Sequence, residues 1–403
     1  MDPELAASFA EEWPRVVGAT LRAFGSLDLA EESAQEAFVR AAERLAAGDP
    51  IENIGAWATT TARRIAIDTL RRDQVLRAKL PLLVADDEPQ GESDLADDRL
   101  GLIFVACDPA LSPEQQIALA LRIVCGVPTA DIADFFGIPE PTVAARLTRA
   151  KKAIARAEAR FVWPSARHRE TRLDEALTTI YGVYTLGHTA VAGAELMDTR
   201  LAELAHTLAR ALVAEHPQST EALGLLAIIE LAEARRGART TEDGMPLTLA
   251  EVDRSAWGRQ RVRDGLALAA RALPGGGRFA LQAGIAGIHS SAASWEETDW
   301  GAIATLYHGL KRVWPAPVVT LGSIIARSHL GPAELDRAAE DLRAMRAHAS
   351  SEMRRRVSAA LADVEERRGN TEQALAAFAD AAEGENNRAL LRFYDRAMGR
   401  LRG

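Results

Sequence analysis

Thr142, Arg146 and Arg149 recur at i, i+4 and i+7, so a helix through them carries all three on one stripe. Arginine presents a planar fork that matches guanine edges, and a threonine hydroxyl can donate or accept. Lys151, Lys152, Arg156 and Arg160 follow, cations suited to holding phosphates. From Thr142 to Arg172 nine Arg or Lys stand against two Glu, a local balance of +7 (9 − 2) in a chain whose net charge is −9. Such a helix can lie in a DNA major groove; taken alone, it can equally be a solvated basic face. Ala144 and Ala145 offer no hydrogen bonds, so base reading would rest on few side chains.

A second cationic run lies in IGAWATTTARRIAIDTLRRDQVLRAK, residues 54–79, where Arg63, Arg64, Arg71, Arg72, Arg77 and Lys79 oppose only Asp68 and Asp73. Upstream, LAEESAQEAFVRAAERL at 29–45 reads as an amphipathic helix with an acidic leading end. Two surface helices of a small bundle would look the same. Catalytic groupings do not emerge. The histidines form no HExxH and pair with no cysteine at ligand spacing, and His289, His308 and His329 are read as structural or surface residues. Gly275-Gly276-Gly277 follow Pro274 without a Lys-Ser/Thr pair, so they read as a turn. Trp257, Trp295, Trp300 and Trp314 read as packing anchors. No catalytic residue, metal, cofactor or enzymatic activity is expected.

The elements that must position these side chains are helices. Apolar residues make up 48% of the 403 positions and aromatics only 5%, with Ala and Leu dominant, so the expected fold is all-α. Ser112-Pro113-Glu114-Gln115 has the order of a capping box with proline at the first helical position. Ile117, Ala120, Leu121 and Val124 share a face, and Gly126 ends that helix. A short helix from Thr129 to Phe136 stops at Gly137, and a third begins near Glu140 with Val143, Leu147, Ala150 and Ile154 on one stripe. Helix, short helix, glycine turn, helix is a helix-turn-helix layout, which tips the basic stripe toward DNA.

The chain partitions into helical residues 5–80, a linker at 81–108, the helix-turn-helix unit at 109–162 and a long helical run at 170–403. Between Asp86 and Asp98 there are seven acidic residues and no basic one, with Pro89 and Gly91 among them, a solvated linker composition. Two cysteines fit a reduced compartment, and the opening MDPELAASFAEEW lacks the basic-then-apolar pattern of a secretory leader. No uncharged apolar run approaches the ~20 residues a membrane crossing needs. A cytoplasmic protein without membrane contact is expected.

These segments resemble extracytoplasmic-function sigma factors of the sigma-70 family. Glu31-Glu32-Ser33-Ala34-Gln35-Glu36-Ala37-Phe38-Val39-Arg40 is similar to the family's polymerase-binding helix, although Ser33 and Ala34 stand where larger apolar residues are usual. Ala56-Trp57 and Ala62 through Arg72 resemble the −10 segment, with Arg64 where Asn is common. Leu111 through Gln116, Gly126, Ile132-Ala133, Gly137-Ile138 and Thr142 through Ala150 resemble the −35 module. The resemblance implies that Glu32, Gln35, Glu36 and Arg40 dock on core RNA polymerase. It implies that the loop around Gly48–Asn53 meets the −10 element of promoter DNA together with Arg63, Arg64, Asp68, Arg71 and Arg72. Thr142, Arg146 and Arg149, with Lys151 and Lys152 behind them, would face the −35 element. The acidic linker would thread basic polymerase channels.

Such sigma factors usually end soon after the −35 module, whereas more than 230 residues follow here. Arg368-Gly369-Asn370-Thr371 through Phe378, with Ala381, resembles a tetratricopeptide helix pair. Asp198–Ala214 with Ser219–Arg236, and Trp300–Trp314 with Pro317–Leu330, resemble degenerate pairs. Asp299-Trp300 is typical of the sigma factors that carry such an extension, whereas Thr185-Leu186-Gly187-His188 departs from their Asn-Glu-Gly-Tyr. The resemblance implies a repeat surface for a protein or peptide partner and regulation of the sigma module. Two other readings stay open: a helix-turn-helix regulator with a helical sensor domain that never binds polymerase, and a protein-binding scaffold.

Overall fold

The structure, a computed structural model, describes residues 3–72, 95–157, 163–188, 199–242 and 244–403. Arg77, Lys79, Arg160 and the acidic stretch 81–94 lie outside the described residues. Helices dominate, and among the described residues the one β feature is an isolated bridge between Thr240 and Pro246. The chain divides into two compact units, Met1–Leu186 with Arg200–Ala211, and Gly187–Thr199 with Leu212–Gly403.

The first unit begins with three mutually packed helices, α1 (Pro3–Phe24), α2 (Leu27–Ala46) and α3 (Ile54–Arg72). Trp13, Val16, Val17 and Leu21 of α1 meet Ala30, Ala34, Ala37 and Phe38 of α2, all buried. Each large apolar side chain removed from water contributes roughly 1.5–3 kcal/mol. The inner face of α3 is Gly55, Ala58, Ala62 and Ala66, small residues that let the helix sit close. A Cβ at Gly55 would stand 2.0 Å from a Glu12 carboxylate oxygen. Because this ladder is buried at steps of three and four residues, the arginines of α3 turn away from it.

The next helix, α4 (Leu95–Ala106), falls inside the expected linker. Leu100, Leu102, Ile103, Phe104 and Val105 are buried, and Asp98 pairs with Arg22 of α1. The linker composition therefore gives way to a core helix at Leu95. The helix-turn-helix follows as α5 (Pro113–Ile123), α6 (Thr129–Phe136) and α7 (Glu140–Ala157). Ser112 and Gln115 form the capping box, Gly126 and Gly137 take left-handed φ of +65° and +62°, and Val143, Leu147, Ala150 and Ile154 are buried. The face of α5 is broader than expected: Ala118, Leu119 and Ile123 are buried as well.

A short helix, α8 (Ala166–Thr171), leads to α9 (Leu173–His188), and α9 packs on the helix-turn-helix side of the chain. A Cβ at Gly182 would stand 2.5 Å from Ile117, the Cys107 thiol donates to Thr179 Oγ1 at 3.3 Å, and Arg172 pairs with Asp108 at 2.9 Å. Burial pushes the Cys107 thiol up to about 12. Residues 163–186 thus belong to the first unit, not to a C-terminal run starting at 170.

After α10 (Thr199–Glu215), the second unit is a succession of helices, each packed on its neighbours in sequence: α11 (Thr220–Ala234), α12 (Arg259–Ala272), α13 (Arg278–Ser291), α14 (Trp300–Val313), α15 (Pro317–Arg327), α16 (Pro332–Ala347), α17 (Ser351–Arg367), α18 (Thr371–Ala382) and α19 (Arg388–Arg402). Glu221 on α11 accepts the Phe279 and Ala280 amides at 2.9 and 3.0 Å, capping α13 with a carboxylate at its electropositive end. Gly369 makes the α17–α18 turn at φ +78°, and Ala374, Phe378 and Ala381 are buried. Arg396 of α19 returns to Glu251 in the loop after α11, at 3.0 Å.

Candidate nucleic-acid interface

The buried Ala ladder of α3 leaves Arg64, Asp68, Arg71 and Arg72 exposed and Arg63 half-buried. Asn53 caps the helix through its Oδ1, which accepts the Ala56 amide at 2.9 Å. Arg71 approaches Asp68 at 3.8 Å, one turn away and in solvent, an exposed pair too weak to withhold the arginine from a phosphate. The Arg63 Nε is shielded and finds no acceptor among the described residues. The α3 surface therefore offers a cluster of guanidinium groups fixed by a rigid backbone.

On α7 the stripe that packs is Val143, Leu147, Ala150 and Ile154, and the opposite side carries exposed Thr142, Arg149 and Lys152. Arg146 is half-buried because its guanidinium lies 5.2 Å from the Phe136 ring, a brace from α6 that orients it. Arg149 donates Nε to the Ala145 carbonyl at 3.2 Å, which holds its stem along the helix.

Lys151 differs from its neighbours. Its ammonium contacts Asp28 at 2.8 Å and Glu31 at 2.9 Å, both on α2, and its side chain is only 16% exposed. Burial alone would lower its pKa, but Glu31 and Asp28 outweigh it and the net shift is upward. In this conformation Lys151 reaches a phosphate only after those pairs break.

On α2, Glu32, Glu36, Val39 and Arg40 are exposed and Gln35 is half-buried, with Arg40 and Glu36 paired at 2.9 Å. Ser33 and Ala34, where larger apolar residues were the expectation, are buried. Val39, at 52% exposure, sits between charged neighbours as an apolar point suited to a protein partner. Glu31 faces the other way, buried and paired with Arg122 of α5. Sequence reasoning missed Asp28, Glu31 and Arg122 as a set. No local signal reveals them, since Arg122 lies 91 positions from Glu31 and Lys151 lies 123 positions from Asp28.

Comparison with known proteins agrees with this geometry. Residues 9–75 match the family described as Sigma-70 region 2, and residues 104–154 match Sigma-70, region 4. Residues 172–273 match a family of unknown function, DUF6596. An uncharacterized protein from Rhizobium meliloti (strain 1021) is 38% identical over 328 residues, covering 78% of this chain and 77% of that protein. No solved structure matches the chain. The paired helical modules define a transcription initiation factor. The chain belongs to the sigma-70 family of sigma factors, whose partners are RNA polymerase core and promoter DNA. Among the described residues, no helix is long and apolar enough to cross a membrane.

Proposed function

We propose that this chain is an alternative sigma factor of the extracytoplasmic-function type with a tetratricopeptide-like C-terminal domain. In this reading Glu32, Gln35, Glu36 and Arg40 dock on core polymerase. The exposed face of α3, with Arg63, Arg64, Asp68, Arg71 and Arg72, meets the −10 element, where basic side chains hold the strand backbone while the duplex opens. Thr142, Arg146 and Arg149 face the −35 element, and Lys152 neutralises phosphates, joined by Lys151 once its pairs with Asp28 and Glu31 break.

The observation that carries the reading is that two separate helices bury a small or apolar stripe and turn their arginines outward, on a chain of net negative charge. A regulator that binds DNA without polymerase gives the exposed α2 face and the region 2 match no purpose, so that reading is not favoured. The helical second unit is read as a regulatory domain: stacked hairpins offer a surface for a protein or peptide, and the domain is covalently tied to the sigma module. Action in the cytoplasm follows from that role.

Purified protein with core polymerase on genomic DNA, followed by sequencing of transcript starts, is the test. A shared two-box motif upstream of the starts supports the reading; starts identical to those of polymerase alone overturn it. A chain truncated at His216, which keeps α9 and α10, asks about regulation. Unchanged promoter output would remove the regulatory role.

A further inference from the structure

Within the second unit, four helix ends meet around a cleft of about 580 Å³: α15 and α17 finish there, and α16 and α18 begin. His329, Arg367, Arg368 and Asn370 line it on the polar side, and Pro332 and Leu335 supply an apolar wall. Arg367 reaches from α17 to the end of α15, donating Nη2 to Ser328 Oγ at 2.6 Å and Nη1 to His329 Nδ1 at 3.2 Å. A guanidinium only donates, so His329 accepts at Nδ1 and carries its proton on Nε2, as a neutral donor. Arg368 donates Nε to Asp336 at 2.8 Å and Nη1 to the buried Glu365 at 3.0 Å. Its other terminal nitrogen, Nη2, meets no acceptor among the described residues.

Both helices that begin at the cleft lack a side-chain cap. Asn370 is of a type that ordinarily caps, but its Nδ2 donates to Glu365 at 2.7 Å instead. The start of α16 is Gly331, whose φ of +130° and ψ of 175° are open to glycine almost alone. Nothing lies within 4 Å of its would-be Cβ, so the backbone conformation, not crowding, demands the glycine. No side chain therefore stands over the first amides of α16, and Glu334 in that turn is drawn to Arg327 and Arg337. Tethering of neighbouring helices explains the contacts of Arg367 and Arg368 with Ser328, Asp336 and Glu365. It explains neither the spare nitrogen of Arg368 nor two uncapped helix starts at one cleft.

We propose that this cleft is a binding site for a small organic anion, a carboxylate or phosphate ester of metabolite size. Arg368 Nη2 and the first-turn amides of α16 and α18 take the oxyanion, with the guanidinium already held in place by two carboxylates. Pro332 and Leu335 take the carbon skeleton. The volume falls among those of metabolite pockets, about 300–1,000 Å³, and suits a compact ligand better than an extended chain. Asp336 competes with the ligand for Arg368 and repels it, so this carboxylate, 63% exposed, limits the affinity. The site is built by the second unit alone and stands whether or not that unit regulates transcription.

The test is equilibrium dialysis of the full chain against radiolabelled inorganic phosphate and, separately, radiolabelled succinate. One saturable site per chain is expected for at least one of them; retention of phosphate alone assigns a phosphate ester, and of succinate alone a carboxylate. Asp336→Asn should tighten that binding about two- to fivefold, since it removes the competing carboxylate. Arg368→Lys keeps the charge but loses the spare fork nitrogen, and should weaken binding roughly tenfold. Arg388→Gln, at an exposed arginine of α19, should change nothing, which separates a site from general charge attraction. If circular dichroism shows that Arg368→Lys does not fold, Asp336→Asn still decides, because that side chain stands mostly in solvent. The absence of a saturable site, or a site whose affinity Asp336→Asn leaves unchanged, overturns the proposal. So does retention of an acidic peptide through its free C-terminal carboxylate when neither small anion is held, because the occupant would then be a protein tail.

Discussion

The indole of Trp13 donates to the carbonyl of Ile123, 110 positions later in the chain, and Trp13 is 1% exposed. The bond satisfies the indole N–H where water cannot, and it takes up a carbonyl at the end of α5 that has no helical partner. Trp13→Phe keeps most of the apolar packing and removes the donor. The expected cost is about 1–3 kcal/mol, mostly from the stranded Ile123 carbonyl. Chemical denaturation followed by circular dichroism measures it; an unchanged midpoint would show the bond to be dispensable.

Arg146 and Lys152 stand on the same helix and are expected to fail differently. Arg146, braced by Phe136, is placed to read a base edge, so Arg146→Ala should cost about 1–3 kcal/mol at the −35 element and relax preference at one base pair. Lys152 is exposed and positioned for phosphate, so Lys152→Ala should weaken all sequences alike and reduce the salt dependence by about one ion. Promoter binding by the polymerase complex, titrated with salt on wild-type and mutated −35 sites, separates the two. Equal behaviour of the variants would refute the division of labour.

The local devices were legible because they depend on near neighbours. The Ser112–Gln115 capping box, the stop at Gly137 and the Val143–Ile154 stripe each follow from residues a turn or two apart. The helix Leu95–Ala106 was not legible. It is buried around much of its circumference, so its apolar residues show no helical period, and its acidic lead-in reads as solvated linker until Arg22, 76 positions earlier, is known to pair with Asp98. Lys151 read as one more phosphate contact for the same reason, since its carboxylate partners come from α2. The arginine faces of α3 and α7 were readable; the seam between their modules was not.

Acidification should loosen the second unit. His289 and His329 lie among Trp295 and Trp300, with His329 stacked on Trp300 at 3.8 Å. Burial, then Arg235 and Arg254, pushes His289 down to about 4; burial, then Arg367, does the same for His329. Both stay neutral in the folded state, whereas in the unfolded chain they titrate near 6.5. Between pH 6.5 and 4 the unfolded state holds more protons, so stability falls with pH, by at most about 1.4 kcal/mol per pH unit for each histidine. Denaturation followed by tryptophan emission at pH 7.5, 6 and 5 should show this loss, and His289→Gln with His329→Gln should flatten it. An equally steep loss in the double variant would assign the effect elsewhere.

Gly224 tests the packing of the helical array against intrinsic propensity. It lies within α11, where alanine would ordinarily improve the helix by about 1 kcal/mol. Here a Cβ would fall 2.6 Å from the Ala280 amide nitrogen and the Phe279 carbonyl carbon, both backbone atoms of a neighbouring helix that cannot rotate aside. The Glu221 cap on those same two amides fixes that backbone further. Overpacking of this kind typically costs about 1–3 kcal/mol, enough to reverse the propensity gain. Gly224→Ala should therefore lower the melting temperature of the second unit. Gly237→Ala, at a position with nothing within 4 Å of its Cβ, should leave it nearly unchanged. If Gly224→Ala stabilised the protein, the close crossing of α11 and α13 would have to be looser than described.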